Sequence, residues 1–172
     1  MNVLNVVLAA SMMMAAAPAF AQQPTDPQIA AIVVTANQVD IDAGKLAEMK
    51  GSNAEVKAFG RQMAVDHARV NASAVELVTK LKVTPEANAT SQGLKAGGDK
   101  NIATLKGLSG AAFDQAYIAN EVTYHQAVLD ALDKTLIPNA KNAELKALLV
   151  KVRPAFVAHL EHAKHLQSTL GK

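Results

Sequence analysis

Apolar residues recur at steps of three and four along four long stretches of this chain, and no stretch sustains the period-two alternation of a half-buried strand. The first stripe runs Ile29, Ile32, Ala36, Val39, Ala43 and Leu46. The second runs Val56, Phe59, Met63, His67, Val70, Ala74, Leu77 and Leu81. A third carries Phe113, Tyr117, Asn120, Tyr124, Ala127 and Ala131, flanked by Ile118, Glu121, His125, Val128 and Leu132. The last carries Leu145, Leu148, Val152, Phe156, His159, Ala163, Leu166 and Leu170. Alanine-rich amphipathic helices of this length bury their stripes against one another, which predicts an all-α four-helix bundle. A dimer of two helical hairpins would satisfy the same pattern.

Boundary signals fit that reading. Asp26 is placed to cap the first helix, with Pro27 in its first turn, and Gly51 stops it. Ser52-Asn53-Ala54-Glu55 is a capping-box pattern for the second, which ends before Pro85. Residues 83–110 hold five glycines, among them the Gly97-Gly98 pair, and read as a crossover of short, weak helical turns around a flexible turn. The third long helix begins near Ala111, and Pro138 and Asn139 break the chain before the fourth. Pro154 falls inside that fourth helix, where its ring removes a ladder hydrogen bond and predicts a bend.

The amino-terminal segment belongs to a different class. Val3 to Ala17 is an apolar run, followed by Pro18 and the small-x-small string Ala19-Phe20-Ala21. This predicts a signal peptide over residues 1–21 and one domain over 22–172, exported to the periplasm or the outer membrane. A retained anchor is the competing reading, because no Lys or Arg precedes the run. Several chemistries are excluded or disfavoured by composition. Cysteine is absent, so there is no disulfide, thiolate nucleophile, iron–sulfur cluster or thiolate metal site. Seventeen basic against 15 acidic residues give a net charge of +2 with no basic block, so nucleic acid is not an expected partner. The remaining candidates are a metal ion, an envelope protein or a membrane surface.

Two histidines interrupt apolar stripes, His67 and His159, and His125 rides beside the third stripe one turn after Glu121. A buried imidazole without a partner costs about 1–3 kcal/mol, so each needs a protein group or a metal. Let the second and third long helices run parallel. At about 1.5 Å per residue, Asp40, His67, Glu121, His125 and His159 then spread over roughly 10 Å of bundle axis, and one site recruits three or four of them. Imidazole and carboxylate donors without sulfur suit Zn, Cu(II), Ni or non-haem Fe. The alternative is a metal-free polar layer in a non-catalytic envelope protein, pairing Asp40 with His67, Glu121 with His125 and Tyr117 with His159. Asp66 is rotated away from His67 towards a groove or solvent. His162 and His165 make a second, C-terminal group for which the helix dipole is sufficient reason at His165. No Glu-x-x-His occurs, so a diiron oxidase is not expected. No nucleophile elbow, phosphate loop or His-Glu-x-x-His occurs either, and no catalytic residue is nominated.

Several strings resemble one family of exported bacterial proteins, the domain of unknown function numbered 4142. They are Asp40-Ile41-Asp42-Ala43-Gly44-Lys45-Leu46-Ala47, then Val56-Lys57-Ala58-Phe59-Gly60-Arg61-Gln62-Met63 with Asp66-His67. Leu108 to Tyr117 with the downstream His125, and Glu144-Leu145-Lys146-Ala147 leading to Pro154 and His159-Leu160, complete the set. The resemblance implies a ferritin-like four-helix fold in the periplasm or at the outer membrane, and no settled activity. It places His67, His125 and His159 on family positions. Asp40 stands where members usually carry glutamate, which shortens the carboxylate's reach.

Overall fold

The computed structural model describes residues 23–170; the signal peptide expected over residues 1–21 lies outside the described residues. These form five helices and no strand: α1 (Asp26–Lys50), α2 (Ala54–Leu81), α3 (Ala89–Lys106), α4 (Gly110–Ala131) and α5 (Ala143–Thr169). α4 continues through a π-helical segment, Leu132–Leu136, and a last turn, Ile137–Asn139. α1 packs mainly on α2 and then α3, α4 packs on α5, and α5 closes on α2. No described helix is long and apolar enough to cross a membrane.

Two helix starts differ from the sequence expectation by one residue. Thr25, not Asp26, caps α1 in a reciprocal box with Gln28, and Asn53, not Ser52, caps α2 by accepting from the amides of Glu55 and Val56. The displaced residues have longer-range work. Asp26 accepts from the amides of Lys141 and Asn142, both at 2.8 Å, and so holds the turn before α5. Asp114 at the start of α4 accepts from the Ser52 amide at 3.0 Å, the Asn53 amide at 2.8 Å and the Ser52 hydroxyl, and so holds the turn before α2. The starts of α2 and α4 therefore lie at one end, and those of α1 and α5 at the other.

This reciprocity has a sequence counterpart. Asn53-Ala54-Glu55-Val56-Lys57-Ala58 and Asn142-Ala143-Glu144-Leu145-Lys146-Ala147 differ only at Val56/Leu145. The spacing from Asp114 to Asn142 exceeds that from Asp26 to Asn53 by one residue. The π segment, whose i→i+5 bonds take up an added residue, lies within that longer interval.

The crossover corrects the sequence reading: residues 89–106 are one continuous helix, not a set of weak turns, and Gly97 and Gly98 lie inside it. Tertiary and capping contacts override the poor propensity. Asn88 and Ser91 cap each other at its start. Gly98 lets α3 approach α1 so closely that a Cβ there would sit 2.7 Å from Val39 Cγ2. At its end, Lys50 Nζ donates to the carbonyls of Lys106 at 2.7 Å and Leu108 at 2.8 Å.

Glycine also sets a close contact between α1 and α2. A Cβ on Gly44 would lie 2.5 Å from the Gly60 carbonyl oxygen, so α1 and α2 touch backbone to backbone one turn from Asp40. The apolar interior divides into two clusters. One includes Ile29, Ile32, Leu132, Leu149 and Phe156; the other includes Phe59, Met63, Phe113, Tyr117 and Leu166. Along α2, His67 falls between Met63 of the second cluster and Ala74 of the first, and along α4, Glu121 and His125 fall between Ile118 of the second and Leu129 of the first. Pro154 lies inside an uninterrupted α5.

Candidate metal centre

Asp40 from α1, His67 from α2, Glu121 and His125 from α4 and His159 from α5 are all buried. One nitrogen from each of His67, His125 and His159 lies within 4.8 Å of the others, and a donor set of Asp40, Glu121 and His125 meets the same limit. The three imidazole centroids form a near-equilateral triangle with sides of 5.5, 5.3 and 5.4 Å. Sequence reasoning by axial level alone admitted three or four of the five; the structure brings all five into one contiguous cluster through His125. Helix direction accounts for the difference. Each Cβ tilts towards its helix's amino terminus, so His67, Glu121 and His125 lean one way while Asp40 and His159 lean the other, towards them.

The hydrogen bonds fix which nitrogen of each ring is already engaged. Asn37 Nδ2 donates to the Val33 carbonyl at 2.8 Å, so its Oδ1 accepts from His67 Nδ1–H, also at 2.8 Å. His125 Nδ1–H donates to the Glu121 carbonyl at 3.1 Å. His159 Nε2–H donates to Asp66 Oδ2 at 3.2 Å. A neutral ring with one nitrogen so engaged presents a lone pair at the other. Those other atoms, His67 Nε2, His125 Nε2 and His159 Nδ1, are buried without a hydrogen-bond partner, as are both oxygens of Asp40 and of Glu121. His67 Nε2 stands 2.7 Å from Asp40 Oδ2 and His125 Nε2 stands 3.4 Å from it. Lone pairs this close repel unless a proton or a metal cation lies among them.

The electrostatics favour cation binding. Burial alone would raise the Asp40 carboxyl, but His67 and His125 outweigh it and bring the group down to about 2, so it is a carboxylate at neutral pH. Burial and the Asp40 charge push Glu121 well above the usual carboxylate range. The pair thus holds one negative charge, not two. Burial lowers His125, with Asp40 pulling partly the other way. Burial and the two neighbouring histidines lower His159 to about 4. Both rings are neutral at pH 7, the form that ligates a metal.

Three supporting residues were not singled out by sequence reasoning as part of the site: Asn37, Asp66 and Phe156. Asn37 carries a signal, a polar amide three residues before Asp40 on the same helix. Asp66 is turned away from His67 as expected and is 31% exposed, but it is the hydrogen-bond partner of His159. Phe156 packs its ring 5.0 Å from that of His67. The paired polar layer holds only in part. Asp40 meets His67 and Glu121 meets His125, whereas Tyr117 Oη is buried without a partner and His159 pairs with Asp66. His162 packs edge-on against Phe59, and neither it nor His165 joins the cluster.

Fold and site together define an all-helical protein with a closed nitrogen- and oxygen-donor layer between two apolar cores. The chain matches the domain of unknown function DUF4142 over residues 9–166 and belongs to that family. No curated protein and no solved structure matches it.

Proposed function

We propose that this protein is an exported, ferritin-like helical bundle of the cell envelope that binds one transition-metal ion. In this reading α1, α2, α4 and α5 are the four bundle members and α3 is the crossover. His67 Nε2, His125 Nε2, His159 Nδ1 and Asp40 hold the ion, and Glu121, at the edge of the set, shares a proton or supplies a fifth donor. One observation carries the reading: three buried imidazoles whose rings surround one point each spend one nitrogen on a fixed protein acceptor and leave the other without a hydrogen bond, and two of those free nitrogens, His67 Nε2 and His125 Nε2, stand within 3.4 Å of a single Asp40 oxygen. Metal-ligating histidines use that outer hydrogen bond to set tautomer and ring orientation. Three imidazoles and one carboxylate, without sulfur, fit Zn, Cu(II), Ni or Fe(II).

Full-length protein stripped with chelator and titrated with Zn, Cu, Ni and Fe(II) tests this. The expected result is uptake of one ion per chain for at least one metal, with a rise in melting temperature, abolished by His67→Leu. No stoichiometric uptake of any of the four, with His67→Leu as stable as or more stable than the parent, would leave a metal-free polar layer, which is often neutral to replace.

A further inference from the structure

The cluster of Ile29, Leu132 and Phe156 is not fully packed. A cavity of about 120 Å³ opens within it, walled by side chains of all five helices. Its lining is almost wholly apolar, aliphatic side chains with the rings of Tyr124 and Phe156, and the few polar groups there make no demand on water. Both ends of the Asn37 amide are already bonded, to the Val33 carbonyl and to His67. Tyr124 Oη donates to the Ala36 carbonyl at 2.7 Å. Thr90 stands on the exposed rim. A water molecule needs about two to four polar partners, and apolar cavities of roughly 150 Å³ stay dry and take up benzene or xenon. The chemistry therefore selects an uncharged, apolar occupant no larger than about one aromatic ring.

Two further observations point the same way. Leu132 and Leu136, on the cavity wall, are the first and last residues of the π-helical segment, and such segments occur frequently at functional sites. A surface groove between α3 and α4 shares Thr90, Leu94, Tyr124 and Ala127 with the cavity and so adjoins it. Gly93 and Gly97 line that groove, and a Cβ at either would meet nothing within 4 Å. Glycine is unfavourable inside a helix, and packing does not require these two. They keep the groove wide.

We propose that this cavity binds a compact, uncharged, apolar molecule that reaches it through the groove between α3 and α4. None of the candidate metal ligands lines the cavity, so this site stands or falls separately from the metal reading.

Fluorine NMR titration of the full chain with fluorobenzene tests it, with benzoate as the charged control of similar size. The expected result is saturable uptake of one fluorobenzene per chain and none of benzoate. Ala131→Leu should fill the cavity and Ala127→Leu its exposed mouth, each weakening binding at least tenfold. Ala127 lies on the surface, so that variant remains informative if Ala131→Leu fails to fold. Absence of saturable uptake by the parent, equal uptake of benzoate, or unchanged affinity in a folded Ala127→Leu variant would overturn the proposal.

Discussion

Replacing Asn37 by Ala isolates the claim that the protein presets its imidazoles. Asn37 Oδ1 is the acceptor for His67 Nδ1–H at 2.8 Å, and the amide is 2% exposed, so water does not readily replace it. Truncation leaves a buried ring donor unpaired and lets the ring adopt either tautomer and rotate. Loss of such an outer partner typically costs about 10–100-fold in metal affinity. Binding to the folded state alone stabilises it by RT ln(1 + [L]/Kd), about 2.7 kcal/mol when free metal is at 100 times Kd. At the same free metal, a 10- to 100-fold weaker site leaves only about 1.4 to 0.4 kcal/mol. The assay is chemical denaturation of the stripped and loaded forms of parent and variant. The difference between the two forms should shrink by about 1.3–2.3 kcal/mol, with stoichiometry still one ion per chain. An Asn37→Ala protein whose loaded and stripped forms differ as much as the parent's would refute the idea that this hydrogen bond presets His67.

Further predictions concern the scaffold and pH. Gly44→Ala forces a Cβ to 2.5 Å from the Gly60 carbonyl and should cost about 1–3 kcal/mol in urea unfolding, whereas Gly97→Ala, which meets nothing, should stabilise by up to about 1 kcal/mol. Asp114→Ala removes three hydrogen bonds from the α1–α2 turn and should lower stability by roughly 2–3 kcal/mol without altering metal stoichiometry. The stripped protein should weaken on acidification. His159 falls from 6.5 to about 4 on folding, so the unfolded chain binds the extra proton; its contribution is complete above pH 6.5 and is lost as pH drops towards 4. That loss is on the order of 3 kcal/mol at about 1.4 per unit, and His159→Gln should flatten the profile between pH 6.5 and 4. Glu121 acts in the opposite sense, its raised carboxyl costing stability as pH rises above 4.5. An equally steep acid limb in His159→Gln would remove His159 from this account.

The parts of the molecule legible in the sequence were those written as periodicity. Each of the four stripes lies on one of the long helices α1, α2, α4 and α5. His67 and His159 stood out because an imidazole on an apolar line must find a partner. α3 was not legible as a helix, since three glycines lower its propensity while its supports, Val39 and Lys50, lie far away on α1. Asp26 and Ser52 carry good capping signals, but Thr25 and Asn53 take the caps, and only the tertiary structure shows Asp26 bracing the other hairpin. Asp66 was hidden for another reason. Helix geometry turns it off the His67 line, but the groove it faces is filled by His159 from a helix more than ninety residues on. The π segment has no composition signature; its trace is the one-residue difference between two otherwise matching intervals.

The most direct test is the metal K-edge absorption spectrum of full-length protein loaded with one equivalent of whichever of Zn, Cu, Ni and Fe(II) it takes up stoichiometrically. His67, His125, His159 and Asp40 around the ion should give a shell of nitrogen and oxygen donors at about 2.0–2.2 Å, with the outer scattering of three imidazoles that falls to two in His159→Ala. A spectrum of the metal ligated by water alone, or one in which His67, His125 and His159 can each be replaced without changing the imidazole count, overturns the metal reading.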